Sequence, residues 1–329
     1  MIEARYWTAL EDGGVLCELC PHHCRLKDGQ SGICMGRVNQ QGRLYSKNYG
    51  RIVSAAIDPV EKKPLYHFYP GSMILSVGPN GCNFRCPYCQ NWEISQTEVH
   101  TSSVSPVDLV KMAGRDDSIG ISYTYAEPLI WYEYVLECSK LARDAGLVNV
   151  LVTNGFVEKK PLRELLQFVD ALNIDLKSIR ESFYKKLCKA SLAPVLAACQ
   201  IAKETSHVEI TNLVIPGEND TDEDVGELAE WIAAKLGKET PLHFSRYFPQ
   251  YKMSVPPTPE ETLQRAYEAG KKSLYYCYLG NLYAKNGSDT HCPQCGNTLV
   301  ERAGYSVRIT GIEGRKCSCC GREADFVLK

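Results

Sequence analysis

From about residue 72 to residue 280 the chain alternates two kinds of segment, and this rhythm limits the fold more than any other feature of the sequence. The runs SMILSVG, SIGISYTY, GLVNVLVTNG, DALNIDLKS, HVEITNLVIPG, TPLHFSRYF and SLYYCYLGN are apolar and bounded by turn formers, so each predicts a strand. Helical segments fit between them. SPVDLVKMAGR opens with a Ser cap and a Pro in the first turn, PLIWYEYVLECSKLARDAG ends on Gly, and NDTDEDVGELAEWIAAKLG has an acidic first turn and a terminal Gly. Strands that alternate with helices pair in parallel, because the helix carries the chain back to the starting edge of the sheet. The expected fold class is therefore α/β, a partial or full (β/α) barrel over residues 72–281, with helices outside. Residues 1–71 and 282–329 lie outside the rhythm. They predict a Cys-rich N-terminal extension and a separate C-terminal unit.

A hydrophobic content of 44% supplies a core, and a formal charge of -2 leaves no broad basic surface for nucleic acid or an anionic membrane. The opening MIEARYWTALEDGG lacks the basic-then-apolar pattern of a signal peptide, and no apolar run approaches membrane-spanning length, so a cytoplasmic location is expected. In that reducing compartment clustered thiols bind metal or do chemistry rather than form disulfides. The 16 cysteines are clustered: Cys17, Cys20, Cys24 and Cys34; Cys82, Cys86 and Cys89; Cys292, Cys295, Cys317, Cys319 and Cys320. Cys138, Cys188, Cys199 and Cys277 stand alone and read as small buried hydrophobes.

The second group lies in NGCNFRCPYCQNWEIS, directly after the first predicted strand. In a parallel barrel that is the C-terminal rim, where such folds keep their active sites. Three thiolates in C-x3-C-x2-C spacing can hold three corners of a cubane iron–sulfur cluster and leave the fourth iron open to a ligand. The alternative is a zinc site completed by a distant residue such as His100. Other polar residues end the following strands: Thr124, Tyr125, Ala126 and Glu127 in YTYAEP, Thr153 and Asn154 in VTNG, Asp175 and Lys177 in NIDLK. The pair Asn154 and Gly155 also fits a plain turn. His243 and Arg246 in HFSRYF are further rim candidates, one of them facing inward, and the collar PLYHFYPGS reads as packing.

The cysteine spacing, with the aromatic Tyr88 before the last Cys, resembles the radical S-adenosylmethionine (SAM) superfamily. The resemblance implies that SAM's amino and carboxylate groups chelate the open iron of a [4Fe-4S] cluster on Cys82, Cys86 and Cys89. It also implies a cofactor site that includes Tyr88, Glu127, Asn154, Asp175 and Lys177, with Glu127 contacting the amino group where the superfamily usually has Gly-Gly-Glu-Pro. GCNFRCPYCQN, YAEP, VTNG, DLK and VIPGEND are similar to the pyruvate formate-lyase activating enzyme branch, from which Asp175 and Lys177 take their places beside the cofactor. The chain departs from that branch at SMILSVGPNG, which has no Gly-x-Arg, and at Thr211, where the activases carry Arg. CELCPHHCRLKDGQSGICMGRVN, YTYAEPLIWYEY, HFSRYFPQYKM, YLGN and the terminal double CxxC extend the resemblance to the radical SAM enzymes of the AmmeMemoRadiSam system. The resemblance implies AMMECR1-like and Memo-like partners, an electron donor such as flavodoxin or ferredoxin, and a hydrogen-abstracting radical enzyme. A glycyl-radical activase and a non-catalytic scaffold are the other readings.

The termini can be read without a family. CPQCG and CSCCG place Cys292 with Cys295 and Cys317 with Cys320 as two knuckles, each followed by Gly, which predicts a zinc ribbon with Cys319 as the spare thiol. Four thiolates suit rubredoxin-type iron as well. Cys17, Cys20, Cys24 and Cys34, with His22 and His23 between them, fit either zinc or a second iron–sulfur cluster, and structural zinc is the expectation.

Overall fold

The computed structural model describes residues 1–115, 118–282 and 287–328. Eight strands form one sheet in sequence order: β1 (Ser54–Pro59), β2 (Met73–Gly78), β3 (Ser118–Tyr123), β4 (Val148–Thr153), β5 (Ala171–Asp175), β6 (His207–Val214), β7 (Leu242–Arg246) and β8 (Cys277–Gly280). β2 to β8 are parallel and coincide with the seven predicted runs. β1 lies antiparallel to β2, with Ser54 opposite Gly78 and Pro59 opposite Met73. One edge of this partial barrel thus comes from the segment that the sequence reading assigns to the extension.

Six helices cover the sheet: α1 (Pro106–Ala113), α2 (Tyr132–Asp144), α3 (Lys159–Leu165), α4 (Leu192–Lys203), α5 (Asp222–Lys235) and α6 (Glu260–Lys271). Ser105 caps α1 and Thr221 caps α5, each side chain accepting the N–H three residues on at 3.1 Å. The solitary Cys138, Cys199 and Cys277 are buried, as small hydrophobes are. The N-terminal extension is anchored on α2 by a buried ion pair between Arg37 and Glu133, and Arg37 also donates to the Arg5 carbonyl at 2.6 Å. Removing either charge would strand the other in the interior, at a cost of about 3–5 kcal/mol.

The C-terminal unit contains a three-stranded antiparallel sheet, β9 (Thr290–His291), β10 (Thr298–Ala303) and β11 (Ser306–Ile309). The hairpin formed by β10 and β11 turns at Gly304, which takes φ +60. The tail then returns to the barrel, where Val327 bridges to Phe68. The collar at 64–72 packs the base of the barrel. The Tyr66 and His67 backbone N–H groups bond the buried Glu209 carboxylate at 3.0 and 2.7 Å, and the His207 and His243 rings reach it at 2.9 and 2.6 Å. Burial alone would raise the Glu209 pKa, but these partners hold it well below the usual carboxylate range.

His67 joins the two units. Its ring bonds the Asp325 carbonyl and the Tyr278 hydroxyl, both at 2.6 Å, and stacks on Phe326 at 4.1 Å. Desolvation pushes its pKa down from 6.5 to about 3. Below pH 6.5 the unfolded chain therefore binds a proton that the folded chain refuses, and stability falls as pH drops through that window. His67→Gln should reduce the stability lost between about pH 6.5 and about pH 5 by up to about 2 kcal/mol, measured by denaturant unfolding. An unchanged loss would remove His67 as its cause.

Candidate active site

The loop after β2 carries Cys82, Cys86 and Cys89 onto the C-terminal rim, and all three line one cleft. The same cleft is lined by Tyr88 from that loop, Glu127 after β3, Asn154 after β4, and Asp175 and Lys177 at the end of β5. Every residue expected at the centre of the site is thus brought to one place. His100 is exposed and does not line the cleft.

Glu127 is the fixed point of this rim. It is 1% exposed, and its carboxylate accepts from Thr153 Oγ1 at 2.7 Å, the Asn154 N–H at 2.8 Å and the Leu129 N–H at 3.0 Å. Burial nevertheless dominates and lifts its pKa to about 7. Asn154 passes the constraint to the cysteine loop: its Nδ2 donates to Asn83 Oδ1 at 2.8 Å and lies 3.7 Å from Cys82 Sγ. Asn154 also makes the turn expected of it, its Oδ1 accepting the Phe156 N–H at 2.9 Å.

The thiols differ in surroundings. Burial and the nearby Glu127 charge push Cys82 far up. Cys86 is pulled down by a hydrogen bond from Cys188 and by the Lys177 charge. Lys177 pairs with Asp175 at 2.8 Å, and although desolvation works against its charge, Asp175 and Cys86 together keep it protonated. Cys188, read as a solitary core thiol, is buried yet abuts this loop, 3.5 Å from the Tyr88 hydroxyl.

Tyr125 stands where the superfamily usually has a glycine, and it takes φ +72, a conformation that favours glycine. Its hydroxyl donates to Asp58 on β1 at 2.7 Å and the Lys63 ammonium lies 4.8 Å from its ring centre. The expectation for HFSRYF needs correction, because neither His243 nor Arg246 lines the cleft. His243 faces inward but sits at the depth of Glu209, and Arg246 points to the other side of β7, donating to the Thr258 carbonyl at 2.8 Å. Ser245, on the inward side one step above His243, lines the cleft, as does Thr211.

The N-terminal cysteine loops lie against this site. The Cys34 carbonyl is 2.2 Å from where a side chain on Gly81 would begin, so only glycine fits immediately before Cys82. His22 Nε2 is 2.7 Å from the Asn83 carbonyl. At the far end, Cys292, Cys295, Cys317 and Cys320 come together with all four sulfurs within 4.8 Å of one another, while Cys319 is exposed and outside the set. The knuckles are built alike: the Gly296 and Gly321 N–H groups return to the Cys292 and Cys317 carbonyls, both at 2.9 Å. These four could hold a metal ion. Among the described residues no helix is long and apolar enough to cross a membrane.

Residues 77–232 match the family described as the Radical SAM superfamily. The whole chain is 46% identical to an uncharacterized protein, MJ0808, of Methanocaldococcus jannaschii, with all of both chains covered. It is 24% identical to the pyruvate formate-lyase-activating enzyme of Streptococcus mutans, over 46% of this chain and 63% of that one. In fold it is similar to a radical SAM methyltransferase from Sphaerobacter thermophilus, with a TM-score of 0.52 at 18% identity, over 70% of this chain and 71% of that one. With the three-cysteine loop on the rim of a mostly parallel sheet, the match leads to one conclusion: residues 77–232 form a radical SAM domain.

Proposed function

We propose that Cys82, Cys86 and Cys89 hold a [4Fe-4S] cluster and that the remaining cleft binds SAM. The observation that carries this is the convergence of three thiols from one loop with polar residues from three successive strand ends, with no fourth cysteine lining the cleft among the described residues. When bound, the pair supplies reductive cleavage of SAM to a 5'-deoxyadenosyl radical, which abstracts hydrogen from a substrate. The chain's own residues bind and orient. Glu127 accepts from the amino group of SAM, a contact strengthened by its burial. Asn154 braces the Cys82 segment, Tyr88 lines the cleft, and the Lys177 ammonium favours the Cys86 thiolate as a ligand while Asp175 fixes the lysine.

The relative named as an activating enzyme supports a protein substrate and a reductant of the flavodoxin or ferredoxin kind; a small-molecule substrate remains the second reading, favoured by Thr211 where activases carry Arg. AMMECR1-like and Memo-like proteins are the proposed partners, and the cytoplasm the proposed location. The three units proposed are 1–71, 72–281 and 282–329, with zinc on Cys292, Cys295, Cys317 and Cys320. The sulfur contacts of 3.6 and 3.7 Å in that set support a mononuclear site, since four thiolates about 2.3 Å from one ion stand about 3.8 Å apart.

Replacing Cys82, Cys86 or Cys89 singly with Ala should abolish 5'-deoxyadenosine formation after anaerobic reconstitution and dithionite reduction, while the circular dichroism spectrum stays that of the folded barrel. A triple variant that still cleaves SAM would sink the proposal, and a wild-type protein that binds SAM without cleaving it would make the chain a scaffold. Glu127→Gln should weaken SAM binding by roughly ten- to a hundred-fold, or about 1.5–3 kcal/mol, by equilibrium titration. Unchanged affinity would leave Glu127 a purely structural brace. Chelation should release about one zinc per chain and melt the C-terminal unit before the barrel, followed by metal analysis and a thermal scan. Release of iron in place of zinc would reassign the four cysteines.

A further inference from the structure

The cysteine groups of this chain come in two spacings. The C-terminal sulfurs crowd together as one ion requires. A cubane bonds one thiolate at each iron corner and spreads the sulfurs to roughly 6 Å. Cys17, Cys20, Cys24 and Cys34 do not crowd in that way. Among the described residues no three of them, with His22 and His23 included, come within 4.8 Å of one another, and the same holds for Cys82, Cys86 and Cys89.

The loops that carry them nonetheless meet. Cys24 Sγ and Cys34 Sγ both lie 3.8 Å from the place a Gly32 side chain would begin, so they are no farther apart than twice that distance, and the missing side chain leaves room between them. The Cys17 N–H donates to the Cys24 carbonyl at 2.9 Å, and the Gly32 N–H to the Arg37 carbonyl at 2.8 Å, which ties the two loops together. Arg37 is 1% exposed, its Nη1 is 4.0 Å from Cys17 Sγ, and its Nε has no partner among the protein atoms. A buried donor without an acceptor is costly, and an anionic sulfur centre beside Cys17 would relieve it.

We infer that Cys17, Cys20, Cys24 and Cys34 hold a second [4Fe-4S] cluster, saturated by protein thiolates, rather than the zinc expected from sequence. With every corner ligated it has no iron open to substrate, so its chemistry is electron transfer. Its place suits that: the Cys34 carbonyl presses on Gly81 and His22 bonds Asn83. One electron enters from an external single-electron reductant, a reduced flavin or iron–sulfur protein, and passes to the centre on Cys82, Cys86 and Cys89. No bond forms or breaks in this step. The relay role rests on the function proposed above; the cluster itself does not.

The test uses the full-length chain, reconstituted anaerobically with iron and sulfide. The triple variant Cys82→Ala, Cys86→Ala, Cys89→Ala should retain about four irons of the wild type's roughly eight, and show a reduced-cluster electron paramagnetic resonance signal that SAM does not alter. The variant Cys20→Ser, Cys24→Ser should lose the complementary four and keep the signal that SAM does alter. A triple variant without iron that carries a second zinc overturns the inference, and because it leaves the N-terminal loops untouched, misfolding of the serine variant cannot mask that result. The relay is overturned if the serine variant, folded, accepts electrons from reduced flavodoxin as fast as the wild type. Two clusters in a wild-type protein that cleaves no SAM would uphold this inference while defeating the proposed function.

Discussion

The Glu127 carboxylate is the interaction on which the geometry of the rim depends. Strand ends in a parallel sheet are joined only by the last ladder bonds, and the loops beyond them need other ties to hold a fixed shape. Glu127 supplies one by accepting from Thr153, Asn154 and Leu129, which clamps the segment after β3 to the segment after β4. Asn154 then carries the restraint to Asn83, and Asn83 carries it both to the Phe156 carbonyl and, through its own carbonyl, to His22 of the N-terminal extension. Four stretches of chain far apart in sequence are thereby set in one frame around Cys82. A carboxylate so buried is expensive to ionise, as its raised pKa records, and three donors offset only part of that cost.

How much of this was legible in the sequence follows from which signals are local. The seven parallel strands stood out because their runs are buried on both faces, and the polar residues that end them had nowhere to point but the rim. β1 did not stand out. SAAIDP is short, mostly small or polar, and its exposed face satisfies no alternation strong enough to be distinguished from a loop. At HFSRYF the period of two correctly limits the inward residues to one parity, but not to a depth. Depth is set by the register in which Thr211 pairs with His243 and Leu213 with Ser245, and that pairing is a property of the sheet. Ser245 therefore reaches the cleft where His243 was a candidate. Cys188 escaped for the same reason: its contact with Tyr88 spans about a hundred residues, and nothing near it in sequence marks it.

The unforeseen strand explains an otherwise costly feature of the site. A non-glycine residue at positive φ costs of order 1–3 kcal/mol and persists only where its surroundings fix it. Tyr125 is fixed by Asp58 on β1 and by the Lys63 ammonium just after it, and that lysine is only 2% exposed. Asp58 in turn is held well below its normal range: burial opposes its charge, but hydrogen bonds from Lys62, Lys63 and Tyr125 prevail. The antiparallel edge therefore does more than extend the sheet. It carries the anion that holds the backbone of YTYAEP in the conformation the cleft requires, with a side chain filling space that a glycine would leave open.

The two ends of the barrel are built on opposite principles. At the rim, polar groups converge on an open cleft and keep hydrogen-bonding capacity in reserve. At the base, Glu209 has partners on four sides, and aromatic rings from the collar, β8 and the C-terminal tail close over it. Arg302 of β10 lies over the Tyr66 ring at 4.3 Å and donates to the Tyr66 carbonyl at 2.7 Å, so the small unit reaches the plug directly. A domain that small cannot stand on apolar burial alone, and the energy of a metal on its four cysteines would be folding energy. Its strands and tail also cover the base, so the small unit closes the end of the barrel opposite the cleft.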